Sequence, residues 1–231
     1  MTPTLVTAAA VRDASARTDS DASRTARAAL LAEVERRDPA LSQRTLGALR
    51  AVPRHLFLPD AALDDAYGNH AYPIGHAQTI SQPTVVAIMT DALELRGDES
   101  VLEVGTGSGY QSAVLSQLAR RVFSIERIAP LAAAARVRLA ALGCANVALR
   151  QGDGYRGWPE HAPFDRIVLT AAPAELPPAL VAQLRVGGIL VAPLGESDQH
   201  LYRWTRRDDG LTREYLGAVR FVPMVASAAA R

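Results

Sequence analysis

A glycine-rich turn set directly behind an apolar run constrains this chain most. Residues 101–110 read VLEVGTGSGY, with glycines at 105, 107 and 109. SVLEV (100–104) is apolar enough for a buried strand, and Tyr110–Arg120 carries helical spacing. A strand that turns this tightly into a helix belongs to a βαβ unit, so the sheet around it is parallel. The chain keeps that rhythm: RVFSI (121–125), VALR (147–150), FDRIVLT (164–170) and ILVAPL (189–194) read as further strands. Between them fall an alanine-rich helix over 129–142, stopped by Gly143, and a helix from Pro177-Pro178 to about Arg185. HLYRWTRR and TREYLGAVRF flank Asp208-Asp209-Gly210, a hairpin signal. The expected fold is α/β, a doubly wound, mostly parallel sheet with an antiparallel C-terminal hairpin.

Upstream, Thr25–Arg37 repeats Leu30, Leu31 and Val34 as a short amphipathic helix. Ser42 caps a second helix carrying Leu46, Leu49 and Val52, and Pro53 ends it. Residues 1–24 are rich in Ala, Ser, Thr and Asp without a period, and are expected to form a mobile tail. Residues 55–80 hold Pro59, Gly68, Pro73 and Gly75 and read as extended loop. Ser81 then stands as the N-cap of a helix with Pro83 in its first turn. One domain over 25–231 follows: N-terminal helices and a loop over 25–82, then the sheet and hairpin over 83–231.

Of 231 residues, 48% are hydrophobic, enough for a sizeable core. The net charge of +1, with signs interspersed, gives no nucleic-acid footprint and no polybasic membrane patch. All 25 basic residues are arginine. The single cysteine, Cys144, bars an internal disulfide and suits a reducing compartment. No stretch approaches the ~20 apolar residues of a membrane span, and the N-terminus lacks the pattern of a signal peptide. A cytoplasmic monomer is expected. His55, His70, His76, His161 and His200 show no metal-ligand spacing, so no metal is assigned.

The turn is G-x-G-x-G, not the G-x-G-x-x-G that cradles a pyrophosphate. Glu103 precedes it, and a carboxylate there repels a pyrophosphate but pairs with an ammonium group. Glu126 ends the next strand, placed to accept from ribose hydroxyls, and Asp153 follows the third, placed to accept from an adenine amine. Strand carboxyl ends are where open α/β sheets bind ligands. A ligand with an amino-acid end, a ribose and an adenine fits all three: S-adenosylmethionine. The bland alternative is a tight turn whose glycines only let the helix pack closely.

Further blocks carry a resemblance. VPRHLFLPD (52–60), AYPIGHAQTISQP (71–83), the glycine block, FSIERI (123–128), GDGYRGWPEHAPFDRIVLTAA (152–172), QLRVGGILVAPLG (183–195) and VRFVPMV (219–225) resemble the protein-L-isoaspartate O-methyltransferase family over about residues 30–225. The resemblance implies a Rossmann-like methyltransferase domain with additional N-terminal helices. It implies repair of isoaspartyl proteins and peptides with S-adenosylmethionine as cofactor. By motif it makes Ser81 the catalytic residue. It gives cofactor binding to Thr79, Ile80, Ser81, Gln82, Glu103, Gly105, Thr106, Gly107, Ser108, Glu126, Arg127, Gly152, Asp153 and Gly154. Ile74, Gly75, His76 and Val222 fall to the substrate. Ala77 departs from the pattern, where the family often has glycine.

The implied substrate, an isoaspartyl α-carboxylate, has an ordinary pKa of about 3–4 and is already ionised at neutral pH. Its methylation needs alignment and no general base. A serine without a base therefore makes chemical sense, although Ser81 also reads as a plain helix cap. Three other readings compete: a methyltransferase dedicated to one aspartate of a biosynthetic peptide, a non-catalytic adenosylmethionine-binding module, and a nicotinamide-dependent dehydrogenase. The glycine spacing and Glu103 disfavour the last.

Overall fold

The computed structural model describes residues 19–226. Helices α1 (Asp21–Arg37) and α2 (Gln43–Ala51) come first. Each starts on a serine: Ser20 Oγ accepts from the Ser23 N–H at 3.1 Å, and Ser42 Oγ from the Thr45 N–H at 3.2 Å. These bonds satisfy amides that a helix start leaves unpaired. α1 begins at Asp21, inside the segment expected to be a tail. Ser23 and Arg27 are buried, and Arg27 pairs with Asp19 at 2.7 Å, which anchors those residues. The rest of the expected tail, residues 1–18, lies outside the described residues.

A 3-10 turn (Arg54–Phe57) and the one-turn helix α3 (Leu63–Ala66) lead to a hairpin, β1 (Tyr72–Gly75) and β2 (Gln78–Ile80), within the stretch expected to be loop. Helix α4 (Pro83–Asp91) follows at once. Its N-cap is Gln82 and not Ser81. Pro83 takes the first helical position, where a missing N–H costs nothing.

Strands β3 (Ser100–Val104), β4 (Arg121–Glu126), β5 (Val147–Gln151), β6 (Phe164–Leu169), β7 (Leu184–Leu194), β8 (Gln199–Arg207) and β9 (Gly210–Val219) form one seven-stranded sheet. Its order is β5-β4-β3-β6-β7-β8-β9. Pairs from β5 to β7 are parallel; β7–β8 and β8–β9 are antiparallel. The chain builds outward from β3 to β5, then crosses back to β6 on the other side of β3. That reversal opens a crevice at the carboxyl ends of β3 and β6. The crossovers include α5 (Tyr110–Ser116), α6 (Ala129–Ala141) and α7 (Pro178–Gln183). α5 stops at Ser116, short of Arg120. α7 stops at Gln183 because β7 already takes Leu184 to pair with Phe164.

The two faces of the sheet carry separate cores. Val101, Val122, Val168 and Val191 meet Leu46, Val86, Met89 and Val114 of the helices on one side. Leu102, Phe123, Ile167 and Leu190 pack with Leu180 and Trp204 on the other. Period-two alternation sends neighbours such as Val101 and Leu102 to opposite faces, so buried parallel strands read as unbroken apolar runs. Among the described residues no helix is long and apolar enough to cross a membrane.

Candidate active site

The glycine turn crosses the carboxyl end of β3. Gly105, Gly107 and Gly109 have φ values of 103°, 53° and 94°, a region that side chains resist. A Cβ on Gly105 would land 2.3 Å from Thr170 Oγ1. Thr170, just past β6, donates to the Val104 carbonyl at 3.1 Å and shares its proton with the Gly105 carbonyl at 2.5 Å. This hydroxyl ties β6 to the turn across the reversal of strand order. From the other side, Glu126 accepts the Gly107 and Ile128 N–H groups, each at 2.8 Å.

A cavity of about 250 Å³ opens over this turn. Its lining includes Gly105, Thr106, Gly107 and Ser108 from the turn, and Thr79, Ile80 and Ser81 from β2 and the loop after it. Glu126, Arg127 and Gly154 stand on the side of β4 and β5, and Val222 belongs to a C-terminal strap across it. The cavity thus gathers eleven of the residues picked from sequence. Gln82, Glu103, Gly152, Asp153, Ile74, Gly75 and His76 are not in its lining. Asp153 caps a 3-10 turn, its Oδ1 accepting the Tyr155 N–H at 3.0 Å.

Glu103 is wholly buried beneath the turn. Its Oε2 accepts from Ser112 Oγ, and from Ser124 Oγ at 2.5 Å. Thr106 Oγ1 lies 2.5 Å from Ser124 Oγ; since Ser124 donates to Glu103, Thr106 is the donor here. A relay of hydroxyls therefore links the turn to the carboxyl group. Oε1 of Glu103 has no partner. Burial pushes the Glu103 pKa up to about 7, against the two serine hydroxyls, with Glu126 adding to the rise.

Ser81 is half-buried, caps no helix and stands in the cavity wall. Among the described residues the wall holds one carboxylate, Glu126, already engaged by two backbone amides, and no histidine. The hairpin before Ser81 turns through Gly75, His76 and Ala77 with φ of 84°, 53° and 55°. Ala77, the departure from the family pattern, is held left-handed where glycine is at ease. Gln78 Nε2 clamps the turn, donating to the His76 and Ala77 carbonyls at 3.3 and 3.1 Å.

The strap is fixed by its backbone. The Ala172 N–H donates to the Val222 carbonyl at 2.9 Å, and the Met224 N–H to the Ala172 carbonyl at 2.7 Å. Tyr155 Oη donates to the Met224 carbonyl at 3.1 Å. Gln199 grips Phe221 through both ends of its amide, accepting the N–H at 2.6 Å and donating to the carbonyl at 3.1 Å.

Sequence reasoning missed Tyr110, Gln111, Thr170 and Met224, all cavity residues. Tyr110 and Gln111 open the helix after the turn, a position that signals ligand proximity. Thr170 becomes visible only once β6 is known to neighbour β3.

Comparison with known proteins agrees with this architecture. A protein-L-isoaspartate O-methyltransferase of Dictyoglomus turgidum is 51% identical over 195 residues, 84% of this chain and 89% of that protein. One of Paramagnetospirillum magneticum is 52% identical over 193 residues, 82% of this chain and 90% of that protein. A solved protein-L-isoaspartate O-methyltransferase matches with a TM-score of 0.78 at 29% identity, over 85% of this chain and 65% of its own length. A Plasmodium falciparum structure described by the same activity, in complex with S-adenosyl-L-homocysteine, has a TM-score of 0.76 at 23% identity, over 86% of this chain and 98% of its own; it speaks to the fold alone. The protein-L-isoaspartate(D-aspartate) O-methyltransferase family model matches residues 25–229, and the chain belongs to that family.

Proposed function

We propose that this protein methylates the free α-carboxylate of L-isoaspartyl residues in damaged proteins and peptides, using S-adenosylmethionine. The observation that carries the reading is Ser81. Its hydroxyl stands in the wall of a cavity over the glycine turn, with no base beside it. The cavity suits the cofactor on its own terms. Three of the five residues of the turn are glycines, which lets a ligand approach its backbone, and Glu126 keeps lone pairs beyond the two amides it accepts.

When bound, S-adenosylmethionine supplies an electrophilic sulfonium methyl group. The residues of the chain then have few tasks. Ser81 donates a hydrogen bond that orients the substrate carboxylate without holding it as tightly as an arginine would. Thr79, Ile80 and Gln82 shape the loop that carries Ser81. Glu126 accepts from ribose hydroxyls, Asp153 and Gly154 flank the adenine, and Glu103 acts from beneath the turn through the Ser124 and Thr106 hydroxyls. Ile74, Gly75, His76 and Val222 border the peptide. The methyl ester formed loses methanol to the neighbouring amide nitrogen, and the succinimide hydrolyses partly to normal aspartate without further help.

Ser81→Ala tests this assignment. A hydrogen bond to a charged group contributes about 1.5–3 kcal/mol, so methyl transfer should fall by ~10-fold or more. Affinity for S-adenosylhomocysteine, measured by calorimetry, should stay within about twofold. Equal losses in both would place Ser81 in the cofactor pocket instead. The reading also includes a cytoplasmic monomer, for which light scattering should give a mass near 24.6 kDa; a doubled mass would refute the monomer.

A further inference from the structure

Helix α4 starts without help from its own cap residue: Gln82 makes no side-chain bond to the first turn. Pro83 has no N–H, so the first amide inside the helix is that of Thr84. That amide is met from fifteen residues upstream. Asn69 stands in the link between α3 and β1. Its Oδ1 accepts the Thr84 N–H at 3.2 Å and the Thr84 hydroxyl at 2.9 Å. Its Nδ2 donates to Glu33 of α1 at 3.1 Å, and Glu33 is paired with Arg37 at 2.8 Å. The partners set the orientation of this amide, since the end facing a backbone N–H must accept and the end facing a carboxylate must donate. Asn69 thus caps α4 from a distance and staples the base of the β1–β2 hairpin to two helices.

The amide it holds is the one Ser81 would claim. A serine at the N-cap accepts from the second or third helical N–H. With Ser81 as the cap, those positions fall to Pro83, which has none, and to Thr84. Ser81 can therefore cap this helix only through the Thr84 N–H, which would fix its side chain toward the helix start. Asn69 and Ser81 compete for a single donor. Asn69 occupies it, α4 starts at Pro83, and Ser81 stays in the cavity wall.

We infer that Asn69 is a positioning residue for methyl transfer: by holding the Thr84 amide it keeps the Ser81 hydroxyl out of the helix cap and available to the substrate carboxylate. The inference rests on the function proposed above. Asn69 itself is not in the cavity lining and acts through Ser81.

The test is methyl transfer to an L-isoaspartyl peptide, measured well below the unfolding temperature, with Asn69→Ala made in the parent and in a Ser81→Ala background. In the parent, transfer should fall about fivefold, the scale of one helix cap. Affinity for S-adenosylhomocysteine should stay within about twofold. In the Ser81→Ala background the same change should cost little further transfer, because the hydroxyl it would misdirect is gone. Asn69→Asp combined with Glu33→Gln keeps an acceptor toward Thr84 and reverses the second bond, and it should restore transfer to within about twofold of the parent. An equal fold-loss in both backgrounds would show that Asn69 only braces the hairpin, and overturn the inference. So would unchanged transfer in the single variant, or a combined exchange no better than alanine. If Asn69→Ala fails to fold, Asn69→Leu, closer in volume, takes its place in both backgrounds. A folded parent that methylates no isoaspartyl peptide would refute the proposed function, and this inference with it; an active parent indifferent to Asn69 would refute this inference alone.

Discussion

Glu103 carries a carboxyl group to a place water does not reach, and two serine hydroxyls do not repay its desolvation. Its pKa is up at about 7 in the folded chain and returns to an ordinary carboxyl value on unfolding. The folded state therefore holds this proton more tightly. The stability it contributes is full below pH ~4.5 and is lost as pH rises through about 7. Over that window the loss amounts to about 3 kcal/mol at most. Glu103→Gln should flatten the fall in ligand-free stability between pH 5 and pH 8, as read by denaturant unfolding; an unchanged slope would mean that the carboxyl is ionised in the fold. Sequence placed an acid at this strand end correctly but aimed it at the cavity. The side chain instead faces Ser112, because alternation along β3 turns Val104 to the cavity and Glu103 toward α5. Ser81 was legible twice, as a cap and as a substrate contact, and the structure removes the cap by starting α4 one residue later. Gln111 was legible only by its place in the first helical turn after the glycines; the burial of its amide was not.

The glycine turn, the strands and the final hairpin were readable because each has a short-range cause. Buried parallel strands are continuous apolar runs, and the hairpin has its Asp-Asp-Gly turn. The misread elements depend on distant partners. α1 starts early because Arg27 and Asp19 meet, and β7 starts early because Leu184 finds Phe164. The β1–β2 hairpin turns on Ala77 and His76 at positive φ, which no local signal announces. The strap over the cavity is the clearest case, since Ala172 and Tyr155, far back in the chain, hold it together with Gln199 of the neighbouring strand. Gln199→Leu removes both bonds to Phe221 without touching the cavity lining. Affinity for S-adenosylhomocysteine should drop several-fold, because the half-buried N–H and carbonyl of Phe221 lose partners worth about 1 kcal/mol each. Unchanged affinity would mean that Ala172 and Tyr155 hold the strap alone.

At the scale of the molecule, the doubly wound sheet fixes where chemistry can occur, and the reversal at β3 and β6 places the cavity there. The helices and hairpin before the sheet bring Ser81 over that crevice, and the strap after it closes the opposite side. Sequence gave the two halves separately, as a cofactor turn and a serine loop; only the folded chain shows them facing one cavity. The central claim is that this cavity methylates isoaspartyl carboxylates and leaves ordinary aspartate alone. The measurement that meets it most directly is transfer of labelled methyl from S-adenosylmethionine to two matched peptides, one with L-isoaspartate and one with L-aspartate at the same position. Label in the isoaspartyl peptide alone is the expected result. Equal labelling of both peptides, or none in either by a protein that binds S-adenosylhomocysteine, would contradict the account.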